Sequence, residues 1–387
     1  MMLRAATIAI VLLGLAGCVT TVTNKSPGRL IPPDRKDSES VLNPIDVSTT
    51  FELERLGIIN YDDDCIPLVS PDGRSIAVRS GIPPSRKLTR AHPGAKPPSL
   101  ARIQIYRTGP STLELAHELR GTYLLGRGVN QDGFLIEEPL EDGARRIGIV
   151  TWNDAEVTWL VDNGMVNAFA DLDDSGTLAY SRRDIERDAF ELVVRRDGEE
   201  MILPSQWERS WVDPVLAPGG EELFMFRHGD GTLELARTRI QDQETLEESL
   251  RIHDLSSRVN DRIVASTLLS QNGNEASPPG ESSRLIFRHP QINRLVEWNP
   301  ATDLMRPFPS EIVAASMINQ DRAVGTSNET LYLVELPQEV GKSPIRIRLA
   351  DRTAIPRRTS LDGSRLLLFH PAGGQYVVSR LTLLDVR

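Results

Sequence analysis

Pro67-Leu68-Val69-Ser70-Pro71-Asp72-Gly73-Arg74-Ser75-Ile76-Ala77-Val78 sets a tight reversal between two apolar runs. Proline fixes φ, the Asp side chain can bond backbone two residues on, and Gly tolerates positive φ, so the chain turns back at once. Ile76-Ala77-Val78 then reads as a strand. Worn copies follow along the chain. Asn130-Gln131-Asp132-Gly133 precedes Phe134-Leu135-Ile136, Asp173-Asp174-Ser175-Gly176 precedes Leu178-Ala179-Tyr180, and Pro218-Gly219-Gly220 precedes Leu223-Phe224. Gln271-Asn272-Gly273 has its strand, Arg284-Leu285-Ile286-Phe287, after an insertion; Asn319-Gln320-Asp321 leads to Ala323-Val324, and Leu361-Asp362-Gly363 to Leu366-Leu367-Leu368. The spacing, about 43 to 60 residues and centred near 45, is that of a four-stranded propeller blade.

Hairpins of a β-sandwich would use the same turns, but here the order within each unit repeats as well. An apolar strand, an Asp/Gly turn and a second strand lead to third strands such as Ile103-Gln104-Ile105-Tyr106, Ile147 to Trp152, Leu192-Val193-Val194, Leu295 to Trp298 and Leu331 to Val334. The expected fold is therefore all-β, a seven-bladed β-propeller over residues 49–387, with six or eight blades as the neighbouring counts. The last unit is one strand short, and Thr49 to Leu56 alternates apolar with polar residues ahead of the first turn. That strand is expected to pair into the last blade and close the ring, leaving no open edge at the join. The chain has 387 residues, 40% hydrophobic and 5% aromatic, with 28 Gly and 26 Pro, enough for one large core and no second domain.

The N-terminus carries an address. Arg4, the apolar run Ala5 to Leu13, and then Leu15-Ala16-Gly17-Cys18 resemble a bacterial lipoprotein signal peptide with its lipobox. The resemblance implies cleavage before Cys18 and a diacylglycerol on its thiol, so residues 1–17 are a signal peptide and 18–48 a lipidated cysteine with a polar linker. Val19 and Thr20, with no Asp beside the cysteine, resemble lipoproteins sorted to the outer membrane, facing the periplasm. Acylation of Cys18 leaves Cys65 as the other of two cysteines, so no intramolecular disulfide is expected.

The formal net charge of −10 argues against nucleic acid as a partner. Pro83 to Pro98 holds four cations, Arg86, Lys87, Arg90 and Lys96, and no acid; it reads as an interaction loop or a solvated insertion. Asp62, Asp63, Asp64, Trp211, Asp213 and Arg352 fall near expected inner-strand starts and are the candidates for a funnel mouth. Asp171 to Gly176 imitates the opening of a calcium loop, but its twelfth place is Arg182 where a bidentate glutamate is needed, so a hairpin turn is expected. The six histidines have no zinc-ligand spacing. There is no nucleophile elbow, and Gly126-Arg127-Gly128 does not make a phosphate loop. No catalytic residue, metal or cofactor is assigned.

The Pro67 to Val78 unit resembles the repeat of TolB-type, WD-repeat-like propellers, with Val69 where that family has an aromatic. The remaining units keep parts of the pattern. By architecture the chain is also similar to BamB-like scaffold lipoproteins, although their Trp-bearing repeat is absent. These resemblances imply a membrane-tethered envelope lipoprotein, a monomer whose propeller serves protein contacts with another envelope protein. The alternative is a funnel enzyme or ligand-binding protein acting on glycan or peptide, since a funnel can gather residues from distant blades.

Overall fold

A computed structural model describes residues 45–47, 51–60, 67–80, 102–205 and, with interruptions, 209–384, and every regular element among them is a β-strand. The chain opens with β1 (Ile45–Val47) and β2 (Phe51–Asn60), then β3 (Leu68–Val69), β4 (Ser75–Ser80), β5 (Arg102–Thr108) and β6 (Leu113–Arg120). It continues with β7 (Leu124–Val129), β8 (Gly133–Pro139), β9 (Arg145–Thr151), β10 (Val157–Val161), β11 (Val166–Leu172), β12 (Leu178–Arg183), β13 (Glu191–Arg196) and β14 (Glu199–Leu203). Next come β15 (Ser210–Leu216), β16 (Glu222–Gly229), β17 (Thr232–Arg239), β18 (Arg251–Asp254), β19 (Thr267–Leu269), β20 (Arg284–His289), β21 (Arg294–Asn299) and β22 (Leu304–Pro307). The last are β23 (Ala314–Met317), β24 (Arg322–Thr326), β25 (Leu331–Glu335), β26 (Ile345–Ala350), β27 (Ile355–Arg358), β28 (Arg365–Ala372) and β29 (Gln375–Leu383).

Neighbouring strands in sequence pair antiparallel, which gives the four-stranded sheets β3–β6, β15–β18, β19–β22 and β23–β26. The fold is a β-propeller. Its strands form six sheets among the described residues, not seven separate ones as the seven turn units implied, because β7–β10 and β11–β14 share one eight-stranded sheet. The merger is a single parallel bridge between Val166 and Arg145. Arg145 N–H donates to Met165 O at 2.9 Å, and the Asn167 side chain donates to Arg145 O at 2.8 Å.

The core lies between neighbouring units. Among the described residues, buried apolar side chains form seven clusters, each built from two neighbouring units, one of them within the eight-stranded sheet. Ile103 and Ile105 of β5 meet Phe134 and Ile136 of β8 in one, and Leu367 and Phe369 of β28 meet Ile76 and Val78 of β4 in another. β28 accordingly carries a continuous apolar run, Leu366 to Phe369, and β4 a shorter one, Ile76 to Val78, as strands covered on both faces do.

The strand expected from Thr49 to Leu56 does pair into the last sheet. β2 runs antiparallel to β29 from Phe51 opposite Leu383 to Asn60 opposite Gln375. It extends further than expected and is not the outermost strand, since β1 pairs along its other side.

The turns work as their residues dictate. Ser70 accepts the Ser75 N–H on its hydroxyl at 2.9 Å and donates to Asp72 at 2.7 Å. Asn130 accepts the N–H groups of Asp132 and Gly133, Asp173 those of Ser175 and Thr177, and Asn319 those of Asp321 and Arg322. Three of the turns also lean on the unit before them in the ring. A Cβ on Gly73 would fall 2.6 Å from Thr359 Cβ, one on Gly220 2.3 Å from Asp173 Oδ2, and one on Gly363 2.3 Å from Ile318 O.

Candidate functional site

The first strands of successive units, which line the ring, touch one another: β3 meets β7, β7 meets β11, β11 meets β15, β19 meets β23 and β23 meets β27. Three consecutive ones, β7, β11 and β15, are irregular. Each loses register with its neighbour, between Leu125 and Val129, between Ala168 and Asp171, and between Val212 and Val215. Phe169 and Asp213 stand in the left-handed region at φ of 58° and 53°, a conformation that side-chain-bearing residues seldom adopt. Each lies four residues before its unit's turn residue, Asp173 and Ala217 respectively.

These bulges re-aim charged side chains, as bulges beside functional sites do. Arg127 of β7 reaches across β11 to β15, where its Nη2 donates to Asp213 Oδ1 at 2.6 Å. Asp171 of β11 accepts the Leu216 N–H of β15 on Oδ2 at 2.8 Å. The β11 bulge is held from behind by Glu137 of β8, whose carboxylate accepts the Phe169 N–H at 2.7 Å and the Ala170 N–H at 3.4 Å. Arg145 pairs with the same Glu137 at 2.9 Å, both side chains being about nine-tenths covered.

Burial is the largest influence on the Asp171 carboxyl and pushes it from 3.8 up to about 6. The Leu216 N–H and the Arg127 charge pull it back, while the neighbouring Asp173 pushes it further up. The folded chain thus holds this proton more tightly than the unfolded chain does. Its stabilising contribution is full below about pH 4 and is lost as pH rises through about 6. Asp171→Asn, which keeps an acceptor for Leu216, is expected to stabilise the protein at pH 8 by on the order of 2–3 kcal/mol, and to change little at pH 4. Urea-unfolding midpoints at the two pH values check this.

Of the expected mouth residues, Asp213 is placed in this cluster. Trp211 is not a mouth residue: it is 1% exposed, packed with Leu192, Val194, Leu223 and Met225 between two units, and its indole N–H donates to Pro204 O at 3.0 Å. It begins a strand, but it points into the seam between sheets. Arg352 sits in the link from β26 to β27, where its charge opposes protonation of buried His370. That imidazole is held down to about 4, chiefly by burial, with Nδ1 2.9 Å from Thr353 O, so it is a neutral core group. The calcium-like segment is a hairpin turn, and its twelfth residue, Arg182, pairs with Glu191 and Glu200. Cys18, Asp62, Asp63, Asp64, Arg86, Lys87, Arg90 and Lys96 lie outside the described residues.

Sequence reading missed Arg127 and the role of Asp171. The signal was their period: Arg127, Asp171 and Asp213 stand 44 and 42 residues apart, one unit each, so neighbouring units carry them to neighbouring places.

No protein-family model matches the chain, and no curated protein matches it. Solved structures do match. An oligogalacturonate lyase in complex with manganese aligns at 13% identity and TM-score 0.49, over 89% of this chain and 97% of that one. The Dos1 propeller aligns at 9% identity and TM-score 0.48, over 85% and 95%. TolB from Acinetobacter baumannii aligns at 10% identity and TM-score 0.38, over 73% and 76%. These are likenesses of fold. The chain spans about half the length of the prolyl endopeptidase it also matches, 48% of that chain.

Proposed function

We propose that the chain is a lipid-anchored scaffold of the bacterial cell envelope, tethered through Cys18, whose propeller docks another envelope protein. The observation that supports it most is where the leader meets the ring. β2 lies on the outer side of β29 with β1 beyond it, so the first described residue, Ile45, is on the outermost strand of its sheet. A tether attached there leaves the ring centre free. One acyl chain binds a membrane only marginally and two hold it stably, so the diacylglycerol of the lipobox reading is sufficient anchorage. No helix among the described residues is long and apolar enough to cross a membrane. The basic segment with Arg86, Lys87, Arg90 and Lys96 and the acidic run Asp62-Asp63-Asp64 are the proposed contact loops, by analogy with TolB-type and BamB-like scaffolds. Outer-membrane placement follows the Val19-Thr20 reading.

The test is metabolic labelling with palmitate and detergent-phase partitioning of wild type and Cys18→Ala, followed by crosslinked affinity capture. Label and membrane association present in wild type and lost in Cys18→Ala are expected. Equal partitioning of the two forms would remove the tether, and capture without a reproducible partner would remove the scaffold.

The charged cluster favours a second reading, in which the ring also holds a ligand.

A further inference from the structure

The strands on the outer rim of the ring end their sheets, and an unpaired edge is a place where another chain can add a strand. Most of these edges are blunted. Among the described residues β1 is three residues long and β18 and β22 four, and β22 ends on Pro307. β10 loses register beyond Trp159, whose ring is covered by the Arg146 guanidinium at 3.7 Å. β14 leads with exposed Glu199 and Glu200, and β6 loses register against β5 between Ile105 and Tyr106.

β26 is built differently. It has six residues, and among the described residues no strand pairs with its outer side. Ile345 to Arg348 stand in unbroken antiparallel register with Glu335 to Tyr332, and the irregularity comes only after them, at Leu331. All four are exposed. Ile345 is 59% exposed and Ile347 44%, whereas the other outer strands each show at most one large apolar side chain among the described residues. Alternation sorts the four into two rows. Ile347 stands opposite Leu333, which packs against the seam with the last unit, so the isoleucine row carries that seam's apolar face out to the rim. Arg346 and Arg348 form the other row, on the face of Tyr332. Arg346 lies over the Tyr332 ring at 5.9 Å and pairs with Glu311, and Arg348 pairs with Asp351. Such exposed pairs hold weakly in water. A guanidinium has five donors, so each arginine can take a second carboxylate.

We propose that β26 takes an extended segment of a partner protein as an added strand, a segment in which apolar residues alternate with acidic ones. The apolar residues lie beside Ile345 and Ile347, and Asp or Glu beside Arg346 and Arg348. Main-chain bonds to the outward N–H and C=O groups supply the pairing, and the alternating side chains supply the choice of partner. A segment alternating apolar with basic residues would set like charges side by side across the pair, which destabilises it. A second copy of β26, in the register that keeps isoleucine beside isoleucine, would set arginine beside arginine and meet the same penalty.

Resting on the scaffold reading, this docking edge is tested on the full chain by fluorescence anisotropy with a labelled Thr-Glu-Val-Glu-Val-Glu-Thr peptide. Saturable binding is expected. It should be about tenfold weaker or less still for the double variant Ile345→Glu/Ile347→Glu, which loses the apolar contacts and whose melting curve reports that it is folded. Ile202→Glu, an exposed site on β14, should leave binding unchanged. Two further peptides carry N-methyl groups on the glutamates or on the valines. Alternate N–H groups of a paired strand face its partner, so one of the two should lose binding and the other keep it. No saturable binding, equal binding by the double variant, or methylated peptides that behave alike would each overturn the docking edge. So would self-association of the chain alone that the same double substitution abolishes, since a second copy would then fill the edge. In crosslinked capture, a partner held by wild type and lost by the double variant is expected. A partner held by both leaves the scaffold standing and removes the edge, whereas no partner with either removes the scaffold and the edge with it.

Discussion

Deleting residues 49–57 is expected to abolish the cooperative thermal transition and to leave an aggregating chain. The deletion removes most of β2 and with it Phe51, Leu53 and Leu56, which are 6%, 2% and 5% exposed. Phe51 and Leu53 belong to the cluster between the last two units, and Leu56 to the cluster between the last and first. The two seams that close the ring therefore lose their outer filling together. Truncating a buried Leu costs about 2–5 kcal/mol and a buried Phe about 3–5, so the three together cost about 7–15 kcal/mol, comparable with the whole stability of about 5–15 kcal/mol of a typical domain. The Glu54–Arg380 pair at 3.2 Å also goes. β29 loses its partner from Val378 to Leu383, the kind of unpaired edge that templates association. Circular dichroism melting and size-exclusion chromatography read the two effects. A melting curve like that of the intact chain would mean that the ring closes without its N-terminal strand.

The fold was legible because its units are local. Ser70, Asp72, Asn130, Asp173 and Asn319 each bond backbone within five residues of themselves, so the turns announce themselves in a short window, and repetition does the rest. The third strands read from apolar runs, Ile103 to Tyr106, Ile147 to Trp152, Leu192 to Val194, Leu295 to Trp298 and Leu331 to Val334, fall on β5, β9, β13, β21 and β25. How sheets merge was not legible, since the β9–β11 bridge depends on a side chain, Asn167, bonding across a link. The candidate site was half legible. Asp213 was named from strand order, but its partner is 86 residues away in sequence, and nothing local to either marks the pair. Trp211 misled because alternation decides which way a strand residue faces, and a bulge two residues later breaks the alternation that would have told.

Gly363→Ala is expected to cost substantially more than Gly176→Ala, although both glycines stand at the same place in the sequence repeat and both have positive φ, 70° and 84°. The conformation alone disfavours a Cβ by about 1–2 kcal/mol at either position. At Gly176 that is the whole effect, because nothing lies within 4 Å of where the Cβ would be. At Gly363 the Cβ would fall 2.3 Å from Ile318 O and 2.6 Å from Ile318 Cγ2. The carbonyl is backbone of the preceding unit, itself fixed by the Ile318 N–H to Arg322 O bond at 2.8 Å, and cannot swing aside as a side-chain end would. Relief has to come from moving one unit against the next, which opens the seam containing Ile318, Leu366 and Leu368. Overpacking of this kind adds about 1–3 kcal/mol. Urea unfolding of the two variants separates the contributions: the Gly176 variant gives the cost of the turn, and the excess in the Gly363 variant gives the cost of holding two units apart. Equal losses would mean that the glycine of the repeat serves the reversal alone. An excess at Gly363 makes it also the spacer that lets each unit lie against the one before it, which ties the residue types of the turn to the closure of the ring.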